Sequence, residues 1–162
     1  MKGALGNALI MNIVITFMII FFSLLIGSMA YSKAYKTKNY LINMIEKYED
    51  EGLSKFTDEE EAAGKKWNTE VNEYLKNVGY QINGNKSTCK HRDGYQVARD
   101  NKNDYNYCIY INYNIDGGDQ NALVLLRYNY LVLVYMQFDI PVLGNYFRLP
   151  VTGETRSYTI FR

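Results

Sequence analysis

The chain opens on an apolar run that carries no charged side chain from Ala8 to Ala30. Wound as a helix that rises about 1.5 Å per residue, a run of about 23 residues covers the roughly 30 Å hydrocarbon core of a bilayer. Its many Leu, Ile, Val and Phe side chains favour insertion and outweigh the few polar ones. The pattern therefore predicts a transmembrane helix near the amino terminus.

The small and polar residues of this run share one side of the predicted helix. At about 100° per residue their spacing places them within about 60° of arc: Asn12, Thr16, Ser23, Gly27 and Ala30. A helix that packs against other helices uses such residues, because small side chains permit close approach and hydroxyl or amide groups bond across the contact. The alternative is a chance grouping of a few tolerated polar residues.

The helical spacing of apolar residues continues beyond the apolar run, as far as a natural stop at Gly52. The continuing stripe consists of Ala34, Thr37, Leu41, Met44, Ile45 and Tyr48. It predicts one helix of about 40 residues, half in lipid and half in water, whose aqueous stripe is covered by the rest of the chain. The predicted helix-packing face is Asn12, Thr16, Ser23, Gly27, Ala30, Ala34, Leu41 and Tyr48.

A second, shorter helix is predicted over residues 57–79. Thr57 is a suitable N-cap, acidic residues follow it in the first turn, and Gly79 ends the element. Apolar residues recur at helical spacing along it: Ala63, Trp67, Val71, Tyr74, Leu75 and Val78. After Gly79 the helical spacing of apolar residues ends, and polar residues and Gly follow. This composition predicts a loop region over residues 80–106.

From residue 107 onward the apolar period changes to two, which is typical of half-buried strands. A later run, 122–138, is apolar on both faces in its second half. Arg127 and Asn129 interrupt this run, so a central strand is favoured over a second membrane helix. Pro150 and Gly153 break the last strands. An antiparallel sheet over residues 107–162 is expected, and the aqueous half of the long helix would cover its apolar face.

These elements predict an α+β fold: a long N-terminal helix, half transmembrane and half soluble, packed on a small antiparallel sheet, with a second short helix. Residues 1–32 form the tail and transmembrane helix. Residues 33–162 form the soluble domain, with the long helix continuing over 33–51.

Composition argues against several functions. The charges nearly balance, at 18 Lys+Arg against 17 Asp+Glu, whereas nucleic-acid binding needs a basic surface. The chain lacks the usual nucleophile, zinc, phosphate-loop and dinucleotide motifs, and it has a single His for general-base chemistry. We therefore expect no enzymatic activity, no cofactor and no metal. The Asp residues at positions 100, 104, 116 and 119 do not match a calcium-binding loop and are interpreted as turn residues.

The only two cysteines, Cys89 and Cys108, are interpreted as a disulfide, which suits an exported domain. Two alternatives remain. The first is a pair of free thiols. A metal site with His91 would lack the fourth ligand of a closed tetrahedral zinc site.

The apolar run also resembles a secretory signal in one respect, because Ser28 and Ala30 occupy the minus-three and minus-one positions of a signal-peptidase site. A secretory core is usually shorter, which favours retention as an anchor. Lysines after the run slightly favour a cytoplasmic domain by the positive-inside rule. The exported type of fold favours the opposite orientation, and we expect a single-pass protein with an extracytoplasmic domain.

Two stretches, KGALGNALIMNIVITFMIIF and VLVYMQFDIPVLGNYFRLPVTGET, resemble the TadE-like minor pilins or pseudopilins of Tad/Flp pilus systems, which are type IV-like. Such proteins usually carry a Glu just inside the apolar segment, where this chain has Gly6 and Asn7. The resemblance implies an unprocessed, membrane-retained relative that supports an assembly machine. Its partners would be the lipid bilayer, other pilin-like subunits or copies of itself, and a pilus or secretion platform. The alternative is an anchored extracytoplasmic binding module unrelated to pili.

Overall fold

The computed structural model describes residues 2–50, 62–80, 89–99, 107–116, 125–139 and 146–161. It contains two helices, α1 (Lys2–Asp50) and α2 (Ala62–Asn77). Five strands follow: β1 (Gln96–Arg99), β2 (Tyr107–Asp116), β3 (Leu125–Asp139), β4 (Tyr146–Glu154) and β5 (Tyr158–Phe161). A long N-terminal helix, a short second helix and a small antiparallel sheet confirm the predicted α+β fold.

The sheet is built around β3, which pairs with three other strands. The order is β1-β2-β3-β4, and β5 also pairs with β3. β4 lies beside Leu131–Asp139 of β3 and β5 lies beside Leu125–Tyr128, so the two strands share one side of β3 in succession. All of these pairs are antiparallel. The prediction that this apolar run is a central strand is confirmed.

The two faces of β3 pack in different ways, which explains its continuous apolar sequence. Tyr130, Val132 and Val134 face the main core with α1 and α2, and none of them is exposed. Leu131 and Leu133 face the other side, where they join Cys108 and Tyr110 in a smaller cluster. A strand with a covered surface on each side loses the polar alternation of a half-exposed strand.

The aqueous half of α1 lies across β3 and β4 and also contacts α2. The entire predicted stripe of this half is buried: Ala34, Thr37, Leu41, Met44, Ile45 and Tyr48. At Gly153 of β4 the helix comes very near, because a Cβ there would lie 2.7 Å from Lys38 Cδ and 2.9 Å from Ile42 Cδ1. The prediction that the rest of the chain covers the stripe is confirmed.

α2 runs antiparallel to α1, since Tyr40 stacks on Tyr74 while Lys47 bonds Glu70. Trp67, Val71 and Leu75 form its buried face, as predicted. The predicted cap at Thr57 and the following acidic residues lie outside the described residues, as does the side chain of Ala63.

The end of α2 is a Schellman motif. Gly79 has φ +66°, a conformation that favours glycine. Tyr80 N–H donates to the Leu75 carbonyl at 2.9 Å and Gly79 N–H donates to the Lys76 carbonyl at 3.0 Å. α2 ends at Asn77, two residues before the predicted end. Val78 N–H makes the last helical bond, to the Tyr74 carbonyl at 2.9 Å, and the Schellman motif takes up the carbonyl groups that follow.

The predicted loop region 80–106 contains a strand that the sequence pattern did not indicate. β1 pairs with β2, with Gln96 opposite Ile111 and Val97 opposite Tyr110. Four residues are too few to display a period of two, and β1 is fixed by its partner strand. Residues 81–88 and 100–106 of this region lie outside the described residues.

Candidate membrane anchor and helix-packing face

The amino-terminal half of α1, residues 8–30, projects from the domain and is called here the membrane half. Its large apolar side chains are exposed, with Phe17 at 66% and Leu24 at 68%. In the part of the chain that the structure describes, one helix is long and apolar enough to cross a membrane, and the membrane half belongs to it. An apolar surface of this length exceeds what water-soluble monomers expose.

The structure divides the predicted helix-packing face into two parts. Ala34, Leu41 and Tyr48 are buried against the chain's own sheet and α2, and Ala30 packs partly against the same core. These four residues hold the domain on the helix. A contact with another subunit through the packing face therefore falls to the remaining four residues, all in the membrane half.

These four residues, Asn12, Thr16, Ser23 and Gly27, are called here the membrane packing face. Thr16 Oγ1 donates to the Asn12 carbonyl and Ser23 Oγ donates to the Ile19 carbonyl, both at 2.8 Å. The two hydroxyls are thereby satisfied inside the helix, which suits a lipid environment. A Cβ on Gly27 would meet nothing within 4 Å, so the site is open.

A shallow groove accompanies the first part of this face. It has a volume of about 360 Å³ and is lined by Leu9, Asn12, Ile13, Thr16, Phe17 and Ile20. The groove is lined by four apolar side chains, one amide and one hydroxyl. Such a surface can receive the side chains of another apolar helix.

The two cysteines form a disulfide, as predicted. Cys89 and Cys108 are bonded, with their Cα atoms 5.7 Å apart. The bond ties the segment before β1 to the start of β2, on the sheet face that points away from α1. His91 is exposed and lies near Asp93, with 3.7 Å between Nε2 and Oδ1. The disulfide uses both sulfur atoms that the alternative metal site would need.

A buried carboxylate cluster was not predicted. Glu49 is only 7% exposed and accepts hydrogen bonds from the hydroxyls of Tyr130 and, at 3.4 Å, Tyr128. Burial, together with the Glu49 carboxylate, raises the pKa of both tyrosines well above the usual value. These hydrogen bonds connect the C-terminal end of α1 to β3. No local pattern in the sequence signals this burial, because the partners of Glu49 are 79 and 81 residues away.

No protein-family model matches this chain, and comparisons with curated proteins and with solved structures find no match. The evidence for function is therefore the geometry of α1 and the domain it carries.

Proposed function

We propose that this protein is a single-pass, membrane-anchored structural component of a pilin-like assembly of the type IV-like (Tad/Flp) class. The domain is extracytoplasmic, and the membrane half of α1 joins the chain to sibling subunits or to a membrane platform. One observation carries the proposal. A single unbroken helix presents an uncovered apolar half with a packing face and buries its other half in a sheet domain.

Retention of the membrane half is supported by the boundary between the two halves. Helical hydrogen bonding passes through Ala30 and Tyr31 without a break, and Ala30 packs against the domain core. Proteases cut exposed, irregular segments far more readily than hydrogen-bonded helices. A cut after Ala30 would remove a contact of the domain core and interrupt the helix at its junction, which favours an anchor over a removed signal.

The membrane packing face lies on the side of α1 that carries the domain. At about 100° per residue, Thr16 and Gly27 project within about 30° of the direction of Ala34, which the sheet covers. If a second, parallel copy bound this face at the same height in the membrane, the aqueous half of its α1 would occupy the space that the sheet of the first copy fills. The partner is therefore a copy shifted along the helix axis, or a helix that ends at the membrane surface.

Substitution in the membrane packing face tests the proposal. Gly27→Leu adds a side chain at an open position, so the monomer is expected to fold and insert normally. The added bulk prevents close helix approach, and we expect at least about a tenfold loss of copurified partner, equivalent to about 1.4 kcal/mol. The measurement is quantitative copurification from solubilised native membranes. Asn12→Leu is expected to weaken the same contact.

The matched control is Ser28→Leu, an exposed small residue one position further along the helix and turned about 100° away from Gly27. It introduces the same leucine side chain outside the packing face and should leave copurification unchanged. Equal losses from Gly27→Leu and Ser28→Leu, or no loss from either, would contradict assembly through this face.

A second function is favoured by a surface groove on the domain. Gly94, Tyr95, Gln96, Ile111 and Tyr113 line a space of about 300 Å³, and such a site suits a tethered binding module. In that case replacing residues 1–30 by an unrelated transmembrane helix retains all copurified partners. Under the assembly proposal the same replacement removes them while the domain stays on the membrane.

A further inference from the structure

We infer that the end of the domain nearest the membrane half binds the phosphate groups of anionic phospholipids through a lysine collar, which consists of Lys33, Lys36, Lys38 and Lys76. The inference rests on the membrane anchoring proposed above and adds a lipid partner to it. It does not depend on assembly through the membrane packing face.

The contacts of α1 show which end of the domain faces the membrane. Glu49, far from the membrane half, contacts Tyr130 of β3. Lys38, nearer to it, lies against Gly153, which pairs with Val132. β3 therefore advances toward the membrane half as it proceeds from Tyr130.

The C-terminal end of α2 lies at the same end of the domain, near the membrane half. Lys33 Nζ lies 3.9 Å from the point where a Cβ on Gly79 would be, and Tyr80 donates its hydroxyl to the Tyr135 carbonyl. Lys76 is exposed in the last turn of α2. The C-terminal ends of α2 and β3 thus lie beside the first aqueous turns of α1, where three of the collar lysines are found.

Two exposed tyrosines mark the height of the membrane surface. Tyr31 and Tyr35 follow the apolar run directly, their ring centroids are 6.2 Å apart, and they are 53% and 45% exposed. Tyrosine is enriched at the level of lipid headgroups, where its ring stays apolar while its hydroxyl is hydrated. Lys38 Nζ lies 4.3 Å from the Tyr35 centroid, so a collar charge is at the same height.

The local charge favours anionic lipid. α1 has no acidic residue from Ala8 to Ile45, whereas Lys33, Lys36 and Lys38 fall within two turns. Each lysine close to an anionic bilayer adds to the attraction between the protein and the lipid surface. Because α1 is one helix and the domain is packed on it, these charges stay at a constant height above the lipid.

Two other roles are available for the same lysines. Lys33 also complements the negative end of the α2 dipole, but Lys36 is exposed on the outer side of α1 and has no such role. Lysines beside a membrane helix also direct insertion, which requires no lipid preference in the folded protein. A test must therefore measure lipid selectivity after insertion.

The experiment uses the full chain reconstituted in phosphatidylcholine vesicles that contain a trace of spin-labelled phosphatidylglycerol or spin-labelled phosphatidylcholine. The spectrum gives the fraction of each label that the protein immobilises. We expect severalfold selectivity for phosphatidylglycerol, falling steeply in about 1 M salt, where the screening length is about 3 Å. Lys33→Gln/Lys36→Gln should lower the selectivity by a factor of about two or more. Excess inorganic phosphate at constant ionic strength should not reproduce this loss.

The matched control is Lys65→Gln/Lys66→Gln, which removes the same charge from exposed positions near the start of α2, at the other end of the domain. Its selectivity should equal that of the parent chain. Equal immobilisation of both labels by the parent, or equal selectivity in the collar variant and parent, would overturn the inference. Loss of the chain from the vesicles in an alkaline carbonate wash would instead reject the membrane anchoring itself.

Discussion

At the scale of single residues, the buried Glu49 cluster joins the C-terminal end of α1 to the sheet. A buried carboxylate is tolerated only when hydrogen bonds replace its water, and here Tyr128 and Tyr130 donate them. Tyr130→Phe keeps the ring in the core but withdraws one donor. We expect a loss of about 2 kcal/mol in the free energy of unfolding, measured by urea denaturation of the full chain in detergent micelles.

Tyr113→Phe is the control for this change, because Tyr113 is an exposed tyrosine of β2 and its hydroxyl lies outside the core. Tyr130→Phe should also cost less when Glu49 is already Gln, since a hydrogen bond to a neutral acceptor is about half as strong. Equal costs in the two backgrounds would mean that the Tyr130 hydroxyl contributes independently of the charge on Glu49.

Residues that act locally were predictable, and residues that act across the fold were not. Two cysteines in a chain allow one intramolecular bridge, so Cys89 and Cys108 were identified without a structure. Glu49 resembles an ordinary surface acid in the sequence, because its partners are 79 and 81 residues away. Its burial is decided by the register of α1 on β3, which no local pattern encodes.

At the scale of secondary structure, the cap of α2 determines how the chain leaves the helix toward the sheet. Gly79→Ala puts a side chain on a residue with φ +66°, where the nearest described atom, Lys33 Nζ, is 3.9 Å away. The cost is therefore conformational rather than steric, and we expect about 1 kcal/mol of lost unfolding free energy. Asn77→Ala, an exposed substitution at the end of α2, should be nearly neutral. Chemical denaturation distinguishes the two, and equal stabilities would argue against the observed cap.

Elements with a clear period were predicted well, because burial on one side imposes that period on the sequence. α1 was predicted from its stripe, and its aqueous residues Leu41 and Ile45 are indeed buried. β1 was missed because Gln96–Arg99 has too few residues to show alternation and depends on pairing with β2. The membrane packing face was inferred from the same periodicity and stays a prediction.

At the scale of the whole molecule, the main consequence is that the anchor and the domain share one helix. A flexible linker would allow the domain any orientation, whereas a continuous helix transmits the tilt of the membrane half directly to the sheet. Both the lysine collar and the restricted choice of assembly partner depend on this coupling. The junction at Tyr31 and Ser32 is therefore the place to test it.

Spin labels on Leu24→Cys and Asn43→Cys span this junction at exposed positions, and the native cysteines are bonded to each other and do not react. Nineteen residues of helix separate the labelled Cα atoms by about 28 Å, so dipolar spectroscopy should give one narrow distance distribution. Ser32→Pro removes a helical hydrogen bond and should broaden or shorten that distribution, whereas Ser32→Ala should not. A broad distribution in the parent would reveal a hinge at the membrane surface. The lysines would then have no fixed height above the lipid, and the domain would have no fixed position relative to the membrane packing face.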